Sequence, residues 1–188
     1  MSELVEQLVK SIWDPSVHDP DIVELLRGVE KSQTIDNMYF YDALLTSGRP
    51  AALQLALSEG WMDPNHVDDE GTTSIGMLIF AAMEGENIVI SHGRKTVSNS
   101  AILAESLIQL LEAGADPNGV IYSDYTPLDM CLAHYVPHMA SIILIYGGDP
   151  FLAGDPDNTP PYAEAKQSKK RKWFRQLVDK AQLIKDGS

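Results

Sequence analysis

Cysteine is almost absent from this 188-residue chain. Cys131 is the only one, which excludes an internal disulfide and fits a reducing compartment. Long apolar runs are missing too. None approaches the ~20 residues that a bilayer-spanning helix needs, so no membrane association is expected. The N-terminal stretch MSELVEQLVKSIWDP lacks the basic leader and cleavage site of a signal peptide. It alternates acids with apolar residues, as an amphipathic helix does. A cytoplasmic protein is the simplest expectation, with a nuclear one open if the source is eukaryotic. Basic residues are scarce along most of the length. Six precede residue 166, against 25 acids, so residues 1–165 carry 6 − 25 = −19. The remaining eight meet only Asp179 and Asp186, giving the tail 8 − 2 = +6 and the whole chain −13. An acidic body of this size repels nucleic acid and attracts basic surfaces.

What is present is an ordinary apolar content of 44%, enough for one folded domain or a short array of units. Self-similarity points to the array. Thr126-Pro127 recurs at Thr159-Pro160, 33 residues on, and Gly114-Ala115-Asp116-Pro117-Asn118 recurs as Gly147-Gly148-Asp149-Pro150, again 33 residues on. Gly60-Trp61-Met62-Asp63-Pro64-Asn65 is an earlier relative with one extra residue. Both Gly114 to Thr126 and Gly147 to Thr159 span 12 residues. Within each unit, Thr caps a helix start, Pro fits its first turn, and Gly ends the second helix.

On these residues the chain resembles the ankyrin-repeat family, whose units of about 33 residues carry a T-P-L-H-x-A signature. The match runs without a gap over 124–150, DYTPLDMCLAHYVPHMASIILIYGGDP, with Thr126-Pro127-Leu128 opening one helix and Pro137 the next. It is strong over 104–162 and looser before residue 60. The resemblance implies an all-α solenoid of stacked helix-turn-helix units. Its parts would be an N-terminal helical cap over 1–36, repeats over 37–66, 67–119 and 120–152, and a capping repeat over 153–188. Residues 3–13 and the segment from Asp21 to Leu26 would form the first cap, and AALQLALSEG a second helix. One departure is clear. Thr73 to Thr126 spans 53 residues, 20 beyond the period, and the excess falls over 83–102. Around His92-Gly93 it forms either a small hairpin or extensions of both flanking helices.

Several constellations have plainer readings. His134 and His138 stand four apart, but Pro137 starts a new helix between them, so they do not form a helical metal pair. Cys131 occupies a position where the family places a small buried residue, and a buried thiol is inert. Gly93-Arg94-Lys95-Thr96 lacks the earlier glycine of a phosphate-binding loop, because position 88 is Ile. Lys169-Lys170-Arg171-Lys172 reads as the solvated face of a terminal helix that packs through Trp173, Phe174, Leu177 and Val178. Its competing reading is a nucleic-acid or nuclear-import element over 166–175.

The family binds proteins through the loops that project between units and the adjoining first helices. By register, the resemblance assigns loop positions Val67, Asp69, Glu70 and Thr72, then Val120, Tyr122, Ser123 and Tyr125, then Asp155, Pro156 and Asn158. First-helix positions facing the same groove are Phe80, Ala81, Ala133 and His134. The expectation is a non-catalytic binding module for a basic protein, of inhibitor, immunity or adaptor type, without cofactor, metal or small-molecule ligand. The alternatives are a scaffold for the basic tail and, less favoured, an enzyme using His92 in the insertion, for which no nucleophile is placed.

Overall fold

The computed structural model describes residues 3–35, 37–84, 89–92, 95–121 and 124–186. Helices dominate it, and their limits follow local signals. α1 (Glu3–Trp13) buries Val5, Leu8 and Ile12 along one stripe, with Glu3 and Glu6 in its first turn and Lys10 in its last. α2 (Asp19–Arg27) buries Ile22 and Leu26 and has Pro20 in its first turn. α3 (Met38–Thr46) is capped by Asn37, whose side chain accepts the Phe40 N–H. α4 (Pro50–Glu59) starts on a proline and ends at Gly60 in the left-handed region. α5 (Ser74–Glu84) and α6 (Asn99–Glu112) follow, then α7 (Pro127–His134) and α8 (Pro137–Ile145), then α9 (Pro161–Gln167) and α10 (Lys172–Asp186).

These ten helices associate as consecutive pairs among the described residues: α1 with α2, α3 with α4, α5 with α6, α7 with α8, α9 with α10. Across pairs, first helices touch in the order α1, α3, α5, α7, α9, and second helices in the order α2, α4, α6, α8, α10. One apolar core runs through the interfaces, from Val5 and Leu8 through Phe40, Leu78 and Leu107 to Ile143, Phe174 and Val178. Fully burying side chains of this size contributes about 1.5–3 kcal/mol each, and a single pair has no other place to hide them. Phe174 and Val178 are buried as the sequence predicts, and Trp173 and Leu177 pack against the core half-exposed.

Within 83–102 both expected alternatives have a counterpart among the described residues: a strand pair, and an α6 of 14 residues against 10 in α4 and 9 in α8. Strands β1 (Val89–His92) and β2 (Lys95–Ser98) pair antiparallel, Val89 opposite Ser98 and His92 opposite Lys95. A hairpin therefore projects between α5 and α6, and the fold is helical apart from it. The His92 side chain, Gly93 and Arg94 lie outside the described residues.

The N-terminal pair is fastened by a buried cation. Arg49, just ahead of α4, donates from Nε to the Ile12 carbonyl (3.1 Å), from Nη1 to Val17 O and Asp19 Oδ1 (both 2.8 Å), and from Nη2 to Asp14 O (2.6 Å). Its side chain is 1% exposed. At the other end one expectation fails. Thr159 does not cap α9, because Pro160 sits ahead of Pro161 and is extended (φ −55°, ψ 147°). The helix starts one residue later, without a side-chain cap.

Candidate protein-binding surface

Three connecting segments, 63–73, 116–126 and 149–160, share one construction. Asp63, Asp116 and Asp149 each accept, through Oδ1, the backbone N–H two residues ahead (2.9, 2.9 and 2.8 Å), so each segment leaves its helix by the same Asx turn. Two asparagines then join neighbours. Asn65 donates to Gly114 O (2.9 Å) and accepts from Asp116 N (2.7 Å); Asn118 donates to Gly147 O (3.3 Å) and accepts from Asp149 N (2.7 Å). Farther out, Asn158 donates to Asp124 O (2.9 Å). The third segment also lies directly on the second: a Cβ on Gly154 would stand 2.5 Å from Asp124 O. The segments thus form one laterally bonded row.

Each tip is closed on itself. Val67 bridges Thr73, and Asp68 Oδ1 accepts from both Glu70 N (2.8 Å) and Thr72 N (2.7 Å). Ile121 bridges Tyr125. Thr126 and Asp129 form a reciprocal cap at the start of α7, with Thr126 N and Oγ1 each 2.8 Å from Asp129 Oδ2 and Asp129 N 3.2 Å from Thr126 Oγ1. Burial pushes the Asp129 carboxyl above its ordinary value, and the hydrogen bonds from Thr126 and Gly154 N–H oppose that rise.

Not every predicted contact residue reaches the surface. Asp69 and Glu70 are exposed at the first tip. Thr72 is a correction: the strand-like bridge at Val67–Thr73 turns it inward, and it is 5% exposed. Val120 (38% exposed) and Tyr125 (46%) are accessible; Tyr122 and Ser123 lie outside the described residues. Asp155 is half-buried, with Oδ1 accepting from Asp157 N, and Asn158 is exposed although its amide serves Asp124. Pro156 is exposed, as are Ala133 and His134 at the end of α7. Phe80 and Ala81 are half-buried against the core. Phe151 and Leu152 are exposed large apolar residues on the third segment that register reading passed over. They directly follow Asp149-Pro150, and that position was the available signal. Tyr39, at the start of α3, is also exposed and was missed.

Electrostatics set this row apart. Asp63, Asp68, Asp69, Glu70, Asp116, Asp124, Asp149, Asp155 and Asp157 lie on it, and its three segments contain no Lys or Arg. No Lys or Arg occurs anywhere over 96–165. Five of the nine carboxylates hold turns (63, 68, 116, 149, 155), which fixes their positions without cancelling their charge. Between the first two segments is a notch of about 330 Å³, lined by Pro64, Asn65, Val67, Asp116 and Val120 among others. Rigid carboxylates beside exposed Val67, Val120, Tyr125 and Phe151 can attract cationic groups and then cover apolar surface.

The Cys131 side chain is buried, and desolvation drives its thiol far above the ordinary range. His134 closes α7 and His138 lies in α8. Among the described residues no three His, Cys, Asp or Glu side chains converge as metal ligands, and no helix is long and apolar enough to cross a membrane. No family model matches the chain, and no curated protein matches it.

Proposed function

We propose that the chain is an ankyrin-type repeat solenoid of five helix pairs, and that it binds a basic protein through its three loop segments and the adjoining first helices. The observation that carries this reading is the row of nine acids without a Lys or Arg, held by asparagine bridges and interleaved with exposed Val67, Val120, Tyr125 and Phe151. Support for the solenoid comes from the 33-residue spacings and from the order in which first and second helices touch. The function is occlusion or tethering: steered by charge, a basic surface docks on the row and is held by apolar contacts at its centre. An inhibitor or immunity role follows if that surface is an enzyme's cleft. The cytoplasm is the proposed location.

The test compares wild type with a triple charge reversal, Asp69→Lys, Glu70→Lys and Asp124→Lys, after circular dichroism shows equal helicity. Immobilised wild type should retain basic proteins from lysate at low salt and release them as salt rises. The variant should lose that set. Retention of the same proteins by the folded variant contradicts the proposal.

A further inference from the structure

The edge opposite the loops carries an inverse surface. α7 and α8 are joined by a two-residue turn, and α9 and α10 by the 3-10 turn Lys169–Arg171. Both turns lie at the far ends of the helices from the loop row, roughly 12 Å away at 1.5 Å per residue over α7. Lys166, Lys169, Lys170 and Lys172 are exposed there, whereas Arg171 is half-buried and pairs with Glu164.

The neighbouring turn contributes an aromatic. Tyr135 has φ 58°, the one non-glycine residue with positive φ among those described. The equivalent turn between α3 and α4 uses Gly48 (φ 75°), likewise two residues ahead of a proline. A tyrosine in this conformation is disfavoured where glycine would serve, so the turn alone does not account for it. The residue is 62% exposed, and its ring meets Trp173 edge-on at 5.3 Å. Trp173 in turn meets the buried Phe174 ring edge-on at 5.5 Å. A ladder of three rings thus runs from the core to an outer tyrosine, on the edge that carries the four exposed lysines.

We infer that this basic aromatic edge docks onto the acidic loop row of a second copy of the chain, giving salt-sensitive head-to-tail association. Charge complementarity picks the occupant. The chain's own loop row carries nine carboxylates and no Lys or Arg, so each copy bears the complement of its own basic edge. One copy cannot satisfy both edges, since they lie at opposite ends of the helices. The contact is therefore heterologous and open-ended. It rests on the proposed reading of the loops as a site for basic surfaces, and a foreign basic partner would compete with it.

Sedimentation velocity over a wide concentration range tests it. Wild type should gain mass with concentration at low salt and return to monomer as salt is added. Lys169→Glu, Lys170→Glu and Lys172→Glu together should abolish association, as should the loop-row reversal Asp69→Lys, Glu70→Lys and Asp124→Lys. Mixing the two variants should restore it, although their net charges, −13 − 6 = −19 and −13 + 6 = −7, are both negative. Tyr135→Gly should weaken association about tenfold while leaving the melting temperature unchanged or higher, which a merely structural tyrosine would not do. Monomeric wild type at every concentration overturns the inference, while intact capture of basic proteins by the same sample leaves the loop reading standing. Failure of the mixed variants to associate overturns it too. So does a monomeric wild type that shifts a single-stranded oligonucleotide through Lys169, Lys170 and Lys172.

Discussion

Replacing Arg49 by methionine removes a guanidinium that reaches three carbonyls and a carboxylate, although Asp14 O still accepts from Val17 N–H (3.2 Å). Methionine keeps much of the volume but none of the donors. Breaking a buried charged network costs about 3–5 kcal/mol. Here the lower end applies, because a cavity of about 310 Å³ lined by Pro15, Val17, His18 and Asp19 adjoins Arg49 and lets water reach the freed acceptors. The expected loss is therefore about 3 kcal/mol, and it falls on α1 and α2, which Arg49 ties to α4. Hydrogen exchange by mass spectrometry should show the α1 and α2 amides exchanging roughly a hundredfold faster, with α7 and α8 unchanged. Arg49→Lys should rescue little, since one ammonium cannot span the acceptors that a planar fork reaches. Unchanged exchange in α1 and α2, or equal acceleration throughout the chain, would refute this account of the N-terminal pair.

Other substitutions report on the second loop and the core. Thr126→Ala removes the reciprocal cap of α7 and should lower stability by about 1 kcal/mol in urea unfolding. Burial raises the Asp129 pKa, so the folded chain holds that proton more tightly than the unfolded one, and this group's contribution to stability falls as pH rises from about 3.8 through the folded value. Asp129→Asn keeps an acceptor for Thr126 and should remove that slope, so its urea midpoint should gain on wild type between acidic and neutral pH. Cys131 should resist thiol reagents in the native state and react at the rate of opening, since its side chain is buried and its thiol protonated.

The helices read most clearly where a single local signal decides them. α7 begins at Pro127 because Thr126 caps it, and α8 at Pro137, both as the spacing predicts. Where two signals compete, the sequence misleads: Thr159 looks like Thr126, yet the second proline forces Pro160 out of the helix and moves the start. Thr72 shows the same limit in the loop, since composition marks a polar tip but only the Val67–Thr73 bridge reveals which residue turns inward. Arg49 gave no sign at all. A lone basic residue before a proline reads as solvated, and its role emerges only when Ile12, Asp14, Val17 and Asp19 converge on it. The extra residue at Trp61 becomes intelligible in the same way, with Nε1 donating to Val29 O (3.0 Å) and its carbonyl accepting from Thr34 Oγ1 (2.8 Å). Spacing counts that residue; long-range contacts explain it.

The central claim concerns the acidic loop row, and association kinetics test it most directly. For a basic protein captured by the wild type, the on-rate should be steered by charge and fall steeply with salt. The reversal of Asp69, Glu70 and Asp124 should slow it by tenfold or more at low salt and flatten the salt dependence. Equal on-rates with the same salt slope for both proteins would contradict it.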